Sequence, residues 1–130
     1  MRIISKLTAL AVIAGALLCT ACTTQVAVNS KADPVATFRN GVFYGKVAGE
    51  YAAVFRATNR SLDELGYTRV GEIPEQTAMT IVARGMGDVR VQVQLTRSAS
   101  EPGVINVRIA VGRGDLPACQ KIFNKISTFL

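Results

Sequence analysis

The chain has 130 residues, is 49% hydrophobic, carries a formal net charge of +6 and contains no histidine and no tryptophan. Without histidine, a histidine general base, a Ser-His-Asp triad and histidine metal ligands are all excluded. The length suits one domain, and mixed, mildly basic charge is not the clustered footprint of a nucleic-acid binder, so no nucleic acid is expected among its partners.

The first element in chain order is a leader. Arg2 and Lys6 make a basic start, Leu7 to Leu18 is an unbroken apolar or small-residue run, and Cys19-Thr20-Ala21-Cys22 ends it with small residues before a cysteine. A permanent bilayer span takes roughly 20 apolar residues, so the run reads as the hydrophobic region of a cleaved signal. The pattern predicts a lipoprotein signal peptide over residues 1–21 and a palmitate-bearing, lipidated Cys22. Cys19 stands where a leucine is usual in such a motif. Modification at Cys19 and ordinary cleavage after Ala21 are the competing readings, the first disfavoured by bulky Leu18 at the cleavage point. Processing removes Arg2 and Lys6 and no acid, which lowers the net charge but keeps it basic.

Residues 22–37 are polar or small and broken by Pro34, and read as a lipidated N-terminus with a flexible tether. Fully stretched, such a tether reaches about 50 Å. A single domain over residues 38–130 follows. Val42 to Ala48 has strand composition, although Gly45 weakens it. From Glu50 to Leu65 the period turns helical, with Tyr51, Val54, Phe55, Thr58, Leu62 and Leu65 on one face and Gly66 where a C-terminal cap belongs.

A weak strand at Tyr67 to Ile73 is closed off by Pro74, and clearer ones follow at Thr77 to Arg84, Val89 to Arg97 and Val104 to Val111. Alternation in the last two sets valines, Leu95 and isoleucines on one face against Arg90, Gln92, Gln94, Thr96, Asn106 and Arg108 on the other. A three-residue loop, Gly85-Met86-Gly87, aligns Ala83, Ile81 and Met79 with the valine face and leaves Arg84 opposite Asp88. Asp115 is a plausible N-cap with Pro117 in the first turn behind it, and Cys119, Ile122, Phe123, Ile126, Phe129 and Leu130 recur at helical spacing. The order β-α-β-β-β-β-α predicts an α+β two-layer sandwich, a mostly antiparallel sheet with two helices on one face.

No catalytic, metal or cofactor constellation emerges. Cys19 leaves with the signal and Cys22 takes the lipid, so Cys119 is left without a bridging partner and reads as a small buried hydrophobe; an unacylated Cys22 would open a bridge between the two. The acids are scattered, and Glu72 and Glu75 flanking Pro74 are the nearest approach to a carboxylate pair outside the adjacent Asp63 and Glu64, which diverge on a helix. Gly85-Met86-Gly87-Asp88 joins two strands and opens no helix, so it reads as a hairpin turn and not a phosphate loop. Gly112-Arg113-Gly114-Asp115 spells the adhesion tripeptide but reads as a turn feeding an N-cap, and Asn59-Arg60-Ser61 falls inside a helix. The exposed sheet face, with Arg90, Gln92, Gln94, Thr96, Asn106 and Arg108, is the extended candidate for recognition of a glycan, a peptide or an anionic headgroup.

These features resemble a family of small Gram-negative lipoproteins, domain-of-unknown-function family 3568. The resemblance covers roughly Gly41 to Leu130 and rests on the strand after Gly41, on Phe55 followed by Ser61-Leu62-Asp63-Glu64-Leu65-Gly66, and on Val111-Gly112-Arg113-Gly114-Asp115 before a helix with Ile122 and Ile126. Phe55 stands where a tryptophan is common and Glu50 where a proline is usual. The family has no established activity, so the resemblance transfers no catalytic residue. It implies a Gram-negative envelope, and Thr23 after the cysteine, in place of an inner-membrane retention Asp, suggests outer-membrane sorting.

The expectation is therefore an outer-membrane lipoprotein facing the periplasm, held by its N-terminal lipid. It is expected to act as a non-enzymatic binding or scaffolding module for an envelope protein or glycan. The alternative is a hydrolase or transferase with an unrecognised carboxylate site.

Overall fold

Alternation in the central strands makes the middle of one sheet face apolar, and that surface cannot stand in water; the two amphipathic helices close over it. The computed structural model describes residues 24–27 and 35–130. Its elements are β1 (Thr24–Ala27), β2 (Val35–Arg39), β3 (Val42–Ala48), α1 (Tyr51–Glu64), β4 (Thr68–Pro74), β5 (Ala78–Arg84), a short 3-10 turn (Met86–Asp88), β6 (Arg90–Arg97), β7 (Val104–Val111) and α2 (Leu116–Thr128). The strands form one antiparallel sheet in the order β1-β2-β3-β7-β6-β5-β4. The α+β sandwich is as the sequence predicts.

The element order differs at the start. One strand is expected before the first helix and three are found, because β1 pairs with β2 and β2 with β3. Both lie wholly or partly inside the stretch 22–37 that reads as a tether. These short segments carry little pattern of their own and owe their strand conformation to the neighbour they pair with. The expected signal peptide and Cys22 lie outside the described residues.

The core sits between sheet and helices. Phe43, Val93, Leu95, Ile109, Ile122 and Phe123 are all fully buried there, and the rings of Phe43 and Phe123 meet at 5.1 Å. Helix α2 packs over β3 and β7, and α1 over β4, β6 and α2. Gly66, at φ +84°, closes α1: its N–H donates to Asp63 O and that of Tyr67 to Leu62 O, the paired bonds of a left-handed cap. Buried hydroxyls on α1 are satisfied locally, Thr58 Oγ1 donating to Val54 O and Ser61 Oγ to Ala57 O.

The β5–β6 hairpin corrects one detail. Ala83 pairs with Val91 and Ile81 with Val93, so the predicted face alignment holds, but Arg84 pairs with Arg90 and the loop is Gly85 to Val89. The loop is two residues longer than read from the sequence, which keeps the parity of the pleat and therefore the same face inward. Gly87 and Asp88 take positive φ values of 73° and 60° to make that wider turn. Arg84 still reaches Asp88, donating from Nη1 to its carbonyl oxygen at 3.2 Å.

Candidate functional site

The sheet face turned away from the helices is assembled by register. Thr37 of β2 pairs with Tyr44 of β3, Tyr44 with Arg108 of β7, Arg108 with Gln94 of β6, Gln94 with Thr80 of β5, and Thr80 with Ile73 of β4. One row of side chains thus crosses six strands. A second row on the same face joins Lys46, Asn106 and Thr96.

Two shallow depressions share the middle of this surface. One, of about 670 Å³, is lined on β3, β7 and β6 by Tyr44, Lys46, Gln94, Thr96, Asn106 and Arg108. The other, of about 230 Å³, is lined by Ile73, Glu75, Thr80, Gln92, Gln94 and Arg108, with Ala110. They meet at the Gln94–Arg108 pair.

Electrostatics there are set by guanidinium groups. Arg39 and Arg108 lie 5.4 and 5.7 Å from the centre of the Tyr44 ring, within cation–π range. The Gln94 amide donates to Glu75 Oε2 at 3.5 Å, at the long limit of a hydrogen bond, and the Lys46 ammonium pairs with Glu101 at 2.8 Å. The surface offers amide and hydroxyl groups beside a solvent-facing guanidinium, groups that can hydrogen-bond polar or anionic atoms without covalent chemistry.

Of the residues singled out from the sequence, Gln92, Gln94, Thr96, Asn106 and Arg108 line the depressions. Arg90 does not: it sits at the end of the sheet, opposite Arg84. Tyr44, Lys46, Thr80, Ile73 and Glu75 also line the depressions and were not singled out from the sequence. The signal for Tyr44 and Lys46 was present, since they alternate with Phe43 and Val47.

The remaining motifs have structural partners. Asp115 accepts a hydrogen bond from the Ala118 N–H at 3.1 Å and caps α2, so the Arg-Gly-Asp carboxylate is engaged. Asp63 pairs with Arg69, Asp88 with Arg84, and Glu64 with Arg60 and Lys125. Asn59-Arg60-Ser61 lies within α1, with Ser61 buried. Cys119 is fully buried, and burial pushes its thiol up to about 11. Among the described residues no group of three or more histidine, cysteine or acidic side chains is placed to hold a metal, and no helix is long and apolar enough to cross a membrane.

A family model described as protein of unknown function (DUF3568) matches residues 5–128. No curated protein matches the chain.

Proposed function

We propose that this chain, which belongs to the DUF3568 family of proteins of unknown function, is a Gram-negative envelope lipoprotein that works as a non-enzymatic binding or scaffolding module. In this reading Cys22 carries the lipid, the anchor sits in the outer membrane and the domain faces the periplasm. The address rests on the basic start, the apolar run and the small residues before Cys22, with Thr23 behind it. Two or three acyl chains at about 0.8 kcal/mol per buried methylene make such an anchor durable without any help from the protein surface.

The observation that carries the binding half is the Gln94–Arg108 pair, where two depressions on an otherwise wetted sheet face meet. A guanidinium donates to both oxygens of a carboxylate in a two-pronged contact, and neighbouring Gln94, Asn106 and Thr96 supply further donors and acceptors. The ligand class that fits is an envelope protein segment or glycan presenting carboxylates.

A photo-reactive residue placed at Gln94 in intact cells tests this, with the same residue at exposed Ala52 on α1 as the reference. The proposal expects a discrete adduct from position 94 that Arg108→Glu removes. Identical patterns from both positions, or no adduct from either, overturn it.

A further inference from the structure

The pairing of β1 brings the proposed anchor point to one particular end of the sheet. Thr24 pairs with Phe38, so β1 starts beside the β2–β3 turn at Asn40 and Gly41. Cys22 is two residues upstream, and two Cα–Cα steps span at most about 7.6 Å. The antiparallel order gathers three more connections at this same end, Leu65 to Tyr67, Gly85 to Val89 and Gly112 to Asp115. The last two and the β2–β3 turn are tied together: the Gly112 N–H donates to Arg90 O at 2.8 Å, and a β-carbon on Gly114 would come 2.8 Å from Gly41 Cα.

This end is basic and carries an exposed apolar tip. Arg39, Arg90 and Arg113 are exposed there, and the ion pairs among the described residues leave all three out, Arg39 resting only against the Tyr44 ring at 5.4 Å. Two acids at the same end, Asp88 at 3.8 Å from Arg84 and Asp115 at the α2 cap, offset only part of this charge. Met86 is 92% exposed at the tip of its loop, with Val89 beside it at 37%.

We infer that this loop end of the sheet docks on the leaflet that holds the lipid, with Arg39, Arg90 and Arg113 on anionic phospholipid headgroups and Met86 dipping into the interface. The inference rests on the anchoring at Cys22 proposed above. Anchoring holds the loops at high local headgroup concentration, so contacts too weak to bind a membrane alone still set the orientation. The strands then stand off the surface, and the open sheet face looks sideways into the periplasm instead of lying against lipid.

The test uses the acylated chain extracted from membranes and reconstituted in vesicles of phosphatidylcholine alone or mixed with phosphatidylglycerol. An environment-sensitive thiol probe is attached through Met86→Cys or, at the opposite end of the sheet, through Ser100→Cys; buried Cys119 does not compete for it. The expected result is a blue-shifted probe at position 86 on vesicles containing phosphatidylglycerol and a water-like probe at position 100. Neutralising each arginine to glutamine weakens docking about fivefold, the equivalent of about 1 kcal/mol per basic residue, and Arg39→Glu, Arg90→Glu and Arg113→Glu together return the probe to water while the chain stays on the vesicle. A vesicle-bound chain with both probes water-like overturns the docking and leaves the anchor standing. A chain that does not stay with the vesicles overturns the anchor, and the docking with it.

Discussion

The ring of Phe123 occupies the space that a side chain on residue 45 would need: a β-carbon added to Gly45 would lie 2.5 Å from Phe123 Cε2. Gly45 is therefore what lets α2 settle onto β3, with the Phe123 ring also against Phe43. Backbone conformation is not at issue, because Gly45 has no positive φ. Gly45→Ala forces the buried ring aside and is expected to lower stability by about 1–3 kcal/mol, as overpacking does in a filled core. Urea denaturation reads this directly, and an unchanged midpoint would contradict the packing described.

Asp115 makes a smaller, separable contribution at the start of α2. Removing its carboxylate in Asp115→Ala leaves the Ala118 N–H without its acceptor and is expected to cost about 1 kcal/mol. Asp115→Asn keeps an acceptor at the same place and should recover most of that. Thermal unfolding of the two variants side by side checks the assignment, and equal losses in both would contradict it.

Cys119 gives a pH dependence of definite sign. Burial raises its thiol from the ordinary 9.0 to about 11, so the unfolded chain releases this proton first. Stability from this group is complete below about 9 and is lost progressively as pH rises from there past about 11. Cys119→Ala should flatten that alkaline decline. At neutral pH, native Cys119 should resist alkylation and react only when the chain is unfolded.

The open sheet face predicts a dissociation of stability from binding. Gln94→Ala and Arg108→Ala touch side chains that support no core contact, so each should shift stability by no more than about 0.5 kcal/mol. Both should abolish the adduct formed from the neighbouring face in cells, here read from a photo-reactive residue at Thr96. A variant that unfolds, or one that leaves the adduct intact, would contradict the site.

Periodicity made most of this architecture legible. In β6 up to Leu95 and throughout β7 every second residue is buried, which is why their faces could be read from Val91, Val93, Ile105 and Ile109 alone. The caps of both helices were equally plain, since Gly66 and Asp115 are side-chain choices with a local mechanism. What stayed hidden depends on distant partners. Thr24–Ala27 has no pattern that marks a strand until β2 lies beside it. The β4 strand is exposed along its whole length, and its pairing shifts register between Arg69 and Gly71, so its composition says little. The candidate site was legible as a face but not as a site: nothing in the separate strands indicates that Tyr44, Arg108, Gln94 and Thr80 fall into one row, because loop lengths and register decide that.

Attachment of this domain to the envelope depends on the lipid proposed at Cys22. Metabolic labelling of cells with an alkyne palmitate, comparing the native chain with Cys22→Ser, tests it most directly. Strong label on the native chain and none on the variant is the expected result. Equal label on both, or none on either, would contradict it.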